Sequence, residues 1–262
     1  MKRIASIFTV LAFIISASGV RAEDERDFCA QRPGKATPPC VLDKGRTQIE
    51  VGLADAIFQR QGGAHEDIYT LGATELRVGV SRRVEIEATW APEVIDMTRS
   101  RSRLSGTGDA SLGVLVALTD PEKMGIAVSA QGFVTLPAAT HGLGAGGWTQ
   151  GVRLPMAIPL NNGLSLGLTP EIDILRNVGG GGTHAAWAGV GSLGRAFGAV
   201  SVGVEIWGQV EDEPAGTIHR ASADFTAAYM VGKNLQFDAG ANFGLNHSTP
   251  NTEVYLGISR RF

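Results

Sequence analysis

From Leu235 to Asn246 the side chains alternate without a break: Leu235, Phe237, Ala239, Ala241, Phe243 and Leu245 are apolar, and Gln236, Asp238, Gly240, Asn242, Gly244 and Asn246 are polar or glycine. A period of two places these sets on opposite faces of an extended strand and is incompatible with a one-sided helix. The chain ends on a second such strand. Val254, Leu256, Ile258 and Phe262 share one face, and Glu253, Tyr255, Gly257, Ser259 and Arg261 share the other. A terminal aromatic on an oily face fits the closing strand of a barrel whose outer wall meets lipid.

Ten earlier stretches carry the same sidedness, giving twelve strands in all. Thr47, Ile49, Val51 and Leu53 alternate with Gln48, Glu50 and Gly52, and a weaker strand follows over 68–80. Val84, Ile86, Ala88 and Trp90 oppose Glu85, Glu87 and Thr89. Next, Leu112, Val114, Val116 and Leu118 oppose Ser111, Gly113 and Ala117, then Ile126, Val128 and Val134 oppose Ser129, Gln131 and Thr135. A strand over 148–160 turns through Asn161-Asn162-Gly163, whose residues tolerate the positive φ of a tight hairpin, into Leu164, Leu166, Leu168 and Ile172 against Ser165, Thr169, Glu171 and Asp173. The stretch 184–195 is rich in Gly and Ala and ambiguous in register. Val200, Val202, Val204 and Ile206 then oppose Ser201, Gly203 and Glu205, and Ala221, Ala223, Phe225 and Tyr229 oppose Ser222, Asp224 and Thr226.

The connections alternate in length. Short turns are expected near 81–82, 120–122, 161–162, 196–197 and 232–234, and longer ones near 60–66, 98–105, 137–147, 177–183, 211–216 and 247–250. Such sorting suits an up-and-down barrel with both termini on the periplasmic side. A soluble sandwich has no reason to sort its loops this way.

The N-terminus supports export. Lys2 and Arg3 precede an apolar run from Ile4 to Ile15 and a Val20-Arg21-Ala22 step, the pattern of a signal peptide over residues 1–22. Its removal takes away Lys2, Arg3 and Arg21, leaving 20 basic residues against 26 acidic ones and a net charge near −6, with no basic stripe for nucleic acid. Beyond Glu23 no apolar segment approaches the roughly 20 residues of a membrane helix. One barrel domain over 45–262 follows a charged, Pro-containing segment over 23–44. That segment holds the two cysteines, Cys29 and Cys40, expected to form a local disulfide in an oxidising periplasm. It either hangs in the periplasm or enters the barrel mouth.

Strand parity turns a polar set inward: Glu50, Glu75, Arg77, Glu85, Glu87, Asp109, Arg153, Glu171, Asp173, Glu205, Arg220, Asp224 and Asp238 are the candidate lumen-lining residues, with Glu253 and Arg261 among their neighbours. They form either an acidic conduit favouring cationic or neutral polar solutes, or an ion-pair network filling the interior. Twelve strands fall between small filled barrels and wide porins. Trp90, Trp148 and Trp187 lie near strand ends beside the longer loops, as an interfacial belt requires, and Phe262 marks the opposite interface. Trp207 breaks the pattern by facing inward, which implies a lumen contact or a local bulge.

Other constellations read as structural. His65, His141, His184, His219 and His247 scatter over the long-loop end and read as solvated loop residues. No Gly-x-Ser-x-Gly elbow appears, so a membrane-edge acyl hydrolase is a minor alternative. Gly179 to Gly182 is a flexible loop without the Gly-Lys-Ser/Thr of a phosphate cradle. Asn246-His247-Ser248 matches a glycosylation acceptor that a bacterial barrel would not use.

Asp27-Phe28-Cys29, Arg32-Pro33 and Cys40, followed by Lys44-Gly45-Arg46-Thr47-Gln48-Ile49-Glu50-Val51-Gly52, resemble the opening of a Gram-negative family of outer-membrane barrels, the phenol-degradation MetA-pathway family, whose members are described as transporters. The resemblance spans nearly the whole mature chain. The chain departs from the usual barrel ending at Arg260, where an aromatic or apolar residue is common two places before the final Phe. The resemblance implies passage of small molecules, including aromatic or hydrophobic ones, and brings no catalytic residues. The expectation is therefore an all-β, transmembrane antiparallel barrel of about twelve strands in the outer membrane. It would act as a passive channel without cofactor or metal, partnered by outer-membrane lipid, by the barrel-assembly machinery through its last strand, and by a small solute. A structural or adhesive barrel with a filled lumen is the alternative.

Overall fold

The computed structural model of the chain describes residues 25–61, 64–98, 103–120, 123, 125–178 and 181–262, and the expected signal peptide lies outside them. The strands are β1 (Thr47–Gln61), β2 (Ala64–Leu71), β3 (Ala73–Gly79), β4 (Val84–Trp90), β5 (Glu93–Thr98), β6 (Leu104–Gly106), β7 (Ala110–Ala117) and β8 (Ala127–Leu136). They continue through β9 (Thr149–Arg153), β10 (Met156–Pro159), β11 (Leu164–Arg176), β12 (Thr183–Phe197), β13 (Val200–Glu211), β14 (Ile218–Val231), β15 (Leu235–Gly244) and β16 (Thr252–Arg261).

Four pairs of these segments are halves of single interrupted strands: β2 with β3, β4 with β5, β6 with β7, and β9 with β10. The sixteen segments thus form twelve staves, each antiparallel to its neighbours, in one closed barrel. The interruptions have local causes. Gly72, with φ +70°, separates β2 from β3. Pro92 and Pro155 lie between β4 and β5 and between β9 and β10, where a ring nitrogen has no proton for the ladder. Closure comes from β16 against β1, from Gln48 opposite Arg261 to Phe58 opposite Thr252.

The two faces divide as the alternation predicts. Ile206, Phe225 and Leu256 are 59%, 55% and 47% exposed, while the adjacent Glu205, Asp224 and Gly257 are buried. Two stacked sheets would bury the apolar set, whereas a closed cylinder with a filled interior buries the polar one. The barrel is therefore inside-out relative to a water-soluble fold, with an apolar skin and a polar core. A small apolar cluster of Val41, Leu115 and Ala117 is one exception inside, and Leu42, Val94, Ala186, Val190 and Ala228 are buried as well.

Several local features differ from expectation. The long connection expected over 60–66 is ladder instead: β1 and β2 keep pairing up to Gln61 opposite Ala64. β1 is 15 residues long, and a tilted crossing takes only about 9–11 residues, so its last turns extend past any apolar band into a region where polar side chains pair equally well. The short turn expected at 120–122 falls partly outside the described residues, between β7, which ends at Ala117, and β8, which begins at Ala127. The Leu118 and Thr119 amides both donate to the Val128 carbonyl, which ends the ladder early. The turn expected at 196–197 moves to 198–199, with Gly198 at φ +64°. Asn162 and Gly163 do adopt positive φ, 62° and 72°. In β1 a bulge between Gly52 and Ala54 reverses parity, so Asp55 comes to face Tyr255 across the closing seam. Trp207 involves no such bulge: its register is continuous in β13, and its ring packs beneath the Lys35 ammonium 5.4 Å from the ring centroid.

Candidate functional site

The N-terminal segment enters the barrel. Residues 25–46 contain no helix or strand before Thr47, so their backbone N–H and C=O groups need partners from elsewhere. The inward carboxylates supply them. Glu50 accepts the Gln31 and Arg32 amides, each at 3.0 Å, Glu85 accepts the Leu42 amide at 2.7 Å, and Glu205 accepts the Lys35 amide at 2.7 Å. The Cys29–Cys40 disulfide closes this segment into a loop. It also brings two carbonyls to one guanidinium, since Arg77 donates to Cys29 O at 2.7 Å and to Cys40 O at 3.3 Å. Fully buried, Arg77 is paired with Glu50 at 2.9 Å and Glu85 at 2.6 Å. A buried charge of this kind is tolerated only with such complete pairing.

Around the rest of the circumference the plug meets the wall by side chains. Gln31 donates to Glu87, which also accepts from Gln131, and Ser129 donates to the Pro39 carbonyl. Arg153 donates to Thr37 Oγ1 at 2.8 Å and is paired with Glu171 at 3.5 Å. Arg32 is paired with Asp238 at 3.1 Å. At the tip, Lys35 Nζ donates to Ser222 at 3.2 Å and lies 3.4 Å from Asp224 and 3.8 Å from Glu253. Gly34, at φ +98°, precedes it in close contact with Glu205: an added Cβ would fall 2.6 Å from that carboxylate. Only glycine combines this backbone with this approach.

The plug leaves space on one side. A cavity of about 390 Å³ lies toward the short-turn end, lined by Arg32, Pro33 and residues of β12 and β13 including Ser192, Ser201 and Glu205. A second, of about 210 Å³, lies toward the long-loop end and is lined by Lys35, Trp207, Arg220, Ser222, Asn242 and Glu253 among others. Both follow the β13–β15 wall. The plug tip and its contacts with Glu205, Ser222 and Asp224 stand between them.

Most of the expected lumen residues meet here. Glu50, Arg77, Glu85, Glu87, Arg153, Glu205, Asp224 and Asp238 touch the plug, and Glu171 joins through Arg153. Glu75 sits between Glu50 and Thr89 in the ladder, and Asp173 is buried beside Gly151. Arg220 is at the long-loop rim, paired with Glu211 at 2.8 Å. Asp109 lies apart, in the gap between β6 and β7, where it accepts the Ala139 and Ala145 amides and holds the 137–148 connection. Trp90, Trp148, Trp187 and Phe262 are exposed on the outer wall. Arg260 stacks over Phe262 at 5.1 Å, giving the final aromatic a partner in place of the usual apolar neighbour.

Sequence reasoning missed the plug's own contributors, Gln31, Arg32, Lys35 and Thr37. A signal was present: eleven inward carboxylates faced four inward arginines, and the missing donors had to come from elsewhere in the chain. His184 was also misplaced. It is buried, not solvated, with Nδ1 2.9 Å from Glu213, because the β12 end folds under the 212–217 connection. Among the described residues no His, Cys, Asp and Glu cluster is arranged to hold a metal ion.

The family profile described as "Putative MetA-pathway of phenol degradation" matches residues 30–262. No curated protein sequence matches the chain. Among solved structures, an outer membrane channel from Pseudomonas putida F1 superimposes with a TM-score of 0.67 at 11% identity, over 88% of this chain and 100% of that one. The NanC porin gives 0.52 at 9% identity, over 82% of this chain and 98% of its own. The translocator domain of the autotransporter NalP from Neisseria meningitidis gives 0.51 at 13% identity, over 84% and 89%. At these identities the likeness is one of fold.

Proposed function

The chain belongs to the phenol-degradation MetA-pathway family, and from that premise we propose that it is a gated passive channel of the outer membrane, closed at rest by its own N-terminal plug. The observation that carries this reading is the pair of cavities on one wall, about 210 Å³ and 390 Å³, separated by the plug tip at Lys35. A filled structural barrel has no need of cavities aligned on either side of one small contact. Withdrawing residues 33–36 from Glu205 and Asp224 would join them into a path along β12–β15. The short-turn end, where the plug enters beside Arg26, Asp43 and Arg261, would face the periplasm.

The exposed apolar skin, and Trp90, Trp148 and Trp187 toward one rim, support an outer-membrane site with an aromatic belt. Inward carboxylates outnumber inward arginines on the wall, which favours cationic or neutral solutes, and Trp207 offers a surface to small aromatic ones. Nothing couples the plug to an energy source in this reading, so flow follows the gradient.

The test is planar-bilayer recording on the purified mature protein and on Glu205→Ala, which removes the acceptor of the Lys35 amide. Native protein should show brief cation-favouring openings and the variant longer ones. Silence from both at all voltages refutes the channel and leaves the filled, non-conducting barrel.

A further inference from the structure

The Lys35 ammonium sits in what is otherwise a recognition site for an organic cation. It lies over the Trp207 ring, 5.4 Å from the centroid, against Ser222 at 3.2 Å, Asp224 at 3.4 Å and Glu253 at 3.8 Å. An aromatic face with carboxylates beside it is how proteins hold ammonium groups. The site is more than an acidic cluster. Asn242, only 5% exposed, lines the same cavity; its Nδ2 donates to Glu253, and its Oδ1 has no partner. A buried acceptor left open is unfavourable, so it is a place for a donor. The charges agree. Asp224 and Glu253 converge on one ammonium, while Glu205 takes the Lys35 main-chain amide and Asp238 has Arg32.

We propose that Lys35 is a built-in surrogate for the solute, and that the channel takes small primary ammonium compounds. On the channel reading, such a solute enters the outer cavity, places its ammonium at the Trp207–Asp224–Glu253 position and stacks its carbon body on the indole. This displaces Lys35 and frees the plug tip. The size is suitable. Pockets for drug-sized ligands run to about 300–1,000 Å³, so a cavity of about 210 Å³ takes something smaller. The cations carry the selectivity: an alcohol of the same shape brings no charge, and a quaternary ammonium brings no N–H for Ser222 or Asn242.

The test uses the mature protein in detergent and n-propylammonium chloride as probe, with n-propanol and tetramethylammonium as controls, read by titration calorimetry. Lys35→Ala empties the site. Lys35→Gln keeps the backbone amide on Glu205 and a polar side chain one atom shorter, but removes the charge. Both should bind propylammonium at least about tenfold more tightly than native protein, in which Lys35 competes, and adding Trp207→Ala should weaken that binding about tenfold. Propylammonium binding no tighter in either folded variant than in native protein, or matched by propanol, overturns the proposal. Because binding is read without current, its failure is separate from a failure of the channel, which would show as silent bilayers with binding intact.

Discussion

Arg77 is the residue on which the interior depends most. Its guanidinium has two carboxylates and two half-cystine carbonyls around it and no exposure to solvent. Removing one partner of a buried pair is far more damaging than its net contribution suggests, because the other charges lose their counterion inside a low-dielectric space. Arg77→Ala should therefore destabilise the barrel by about 3–5 kcal/mol, seen as a lower urea midpoint for unfolding from lipid vesicles. Arg77→Lys should recover only part of this, since a point charge cannot reproduce the forked geometry that reaches four oxygens. A midpoint unchanged in Arg77→Ala would mean the network is solvated in the membrane-embedded protein.

At the scale of elements, the plug is the unit to perturb. Closing a loop between residues 11 apart removes freedom from the undocked segment, worth about 3 kcal/mol on loop-closure arguments. Replacing both cysteines by serine should leave barrel stability unchanged but make the 25–46 segment more accessible, measured as faster protease cleavage there and longer open times in bilayers. Equal cleavage rates would show that the wall contacts alone hold the plug. The strands themselves were legible in the sequence because each carries its own period-two signature, as Leu235–Leu245 does. The plug's place was not. Its contacts join residues as far apart as Arg32 and Asp238, and a segment without periodicity says nothing about which surface will satisfy it. The β1–β2 extension was missed for a related reason: beyond the lipid, pairing continues without the alternation that advertises it.

For the whole molecule, the apolar skin sets the solvent. If lipid surrounds the barrel, the cost of a surface charge must depend on depth. Phe225 lies in the middle of β14 and Leu245 just past the end of β15, and both are exposed. Phe225→Lys should cost about 2–4 kcal/mol in vesicles, while Leu245→Lys should cost about 0–1. Equal effects would argue against a membrane-spanning band at this height. Overall sidedness and closure could be read from the chain alone. What could not was that the wide interior of a twelve-stave cylinder is occupied by the chain's own leading segment, since strand count bounds a diameter and does not say what fills it.

The glutamates that fasten the plug grip its main chain. Gln31, Arg32, Lys35, Ala36 and Leu42 are held by their amides, whatever their side chains do. Main-chain capture at these five positions survives any substitution but proline, whereas the added side-chain contacts of Gln31, Arg32 and Lys35 change with the residue. Lineages can retune what passes by rewriting the bolt while its socket stays fixed.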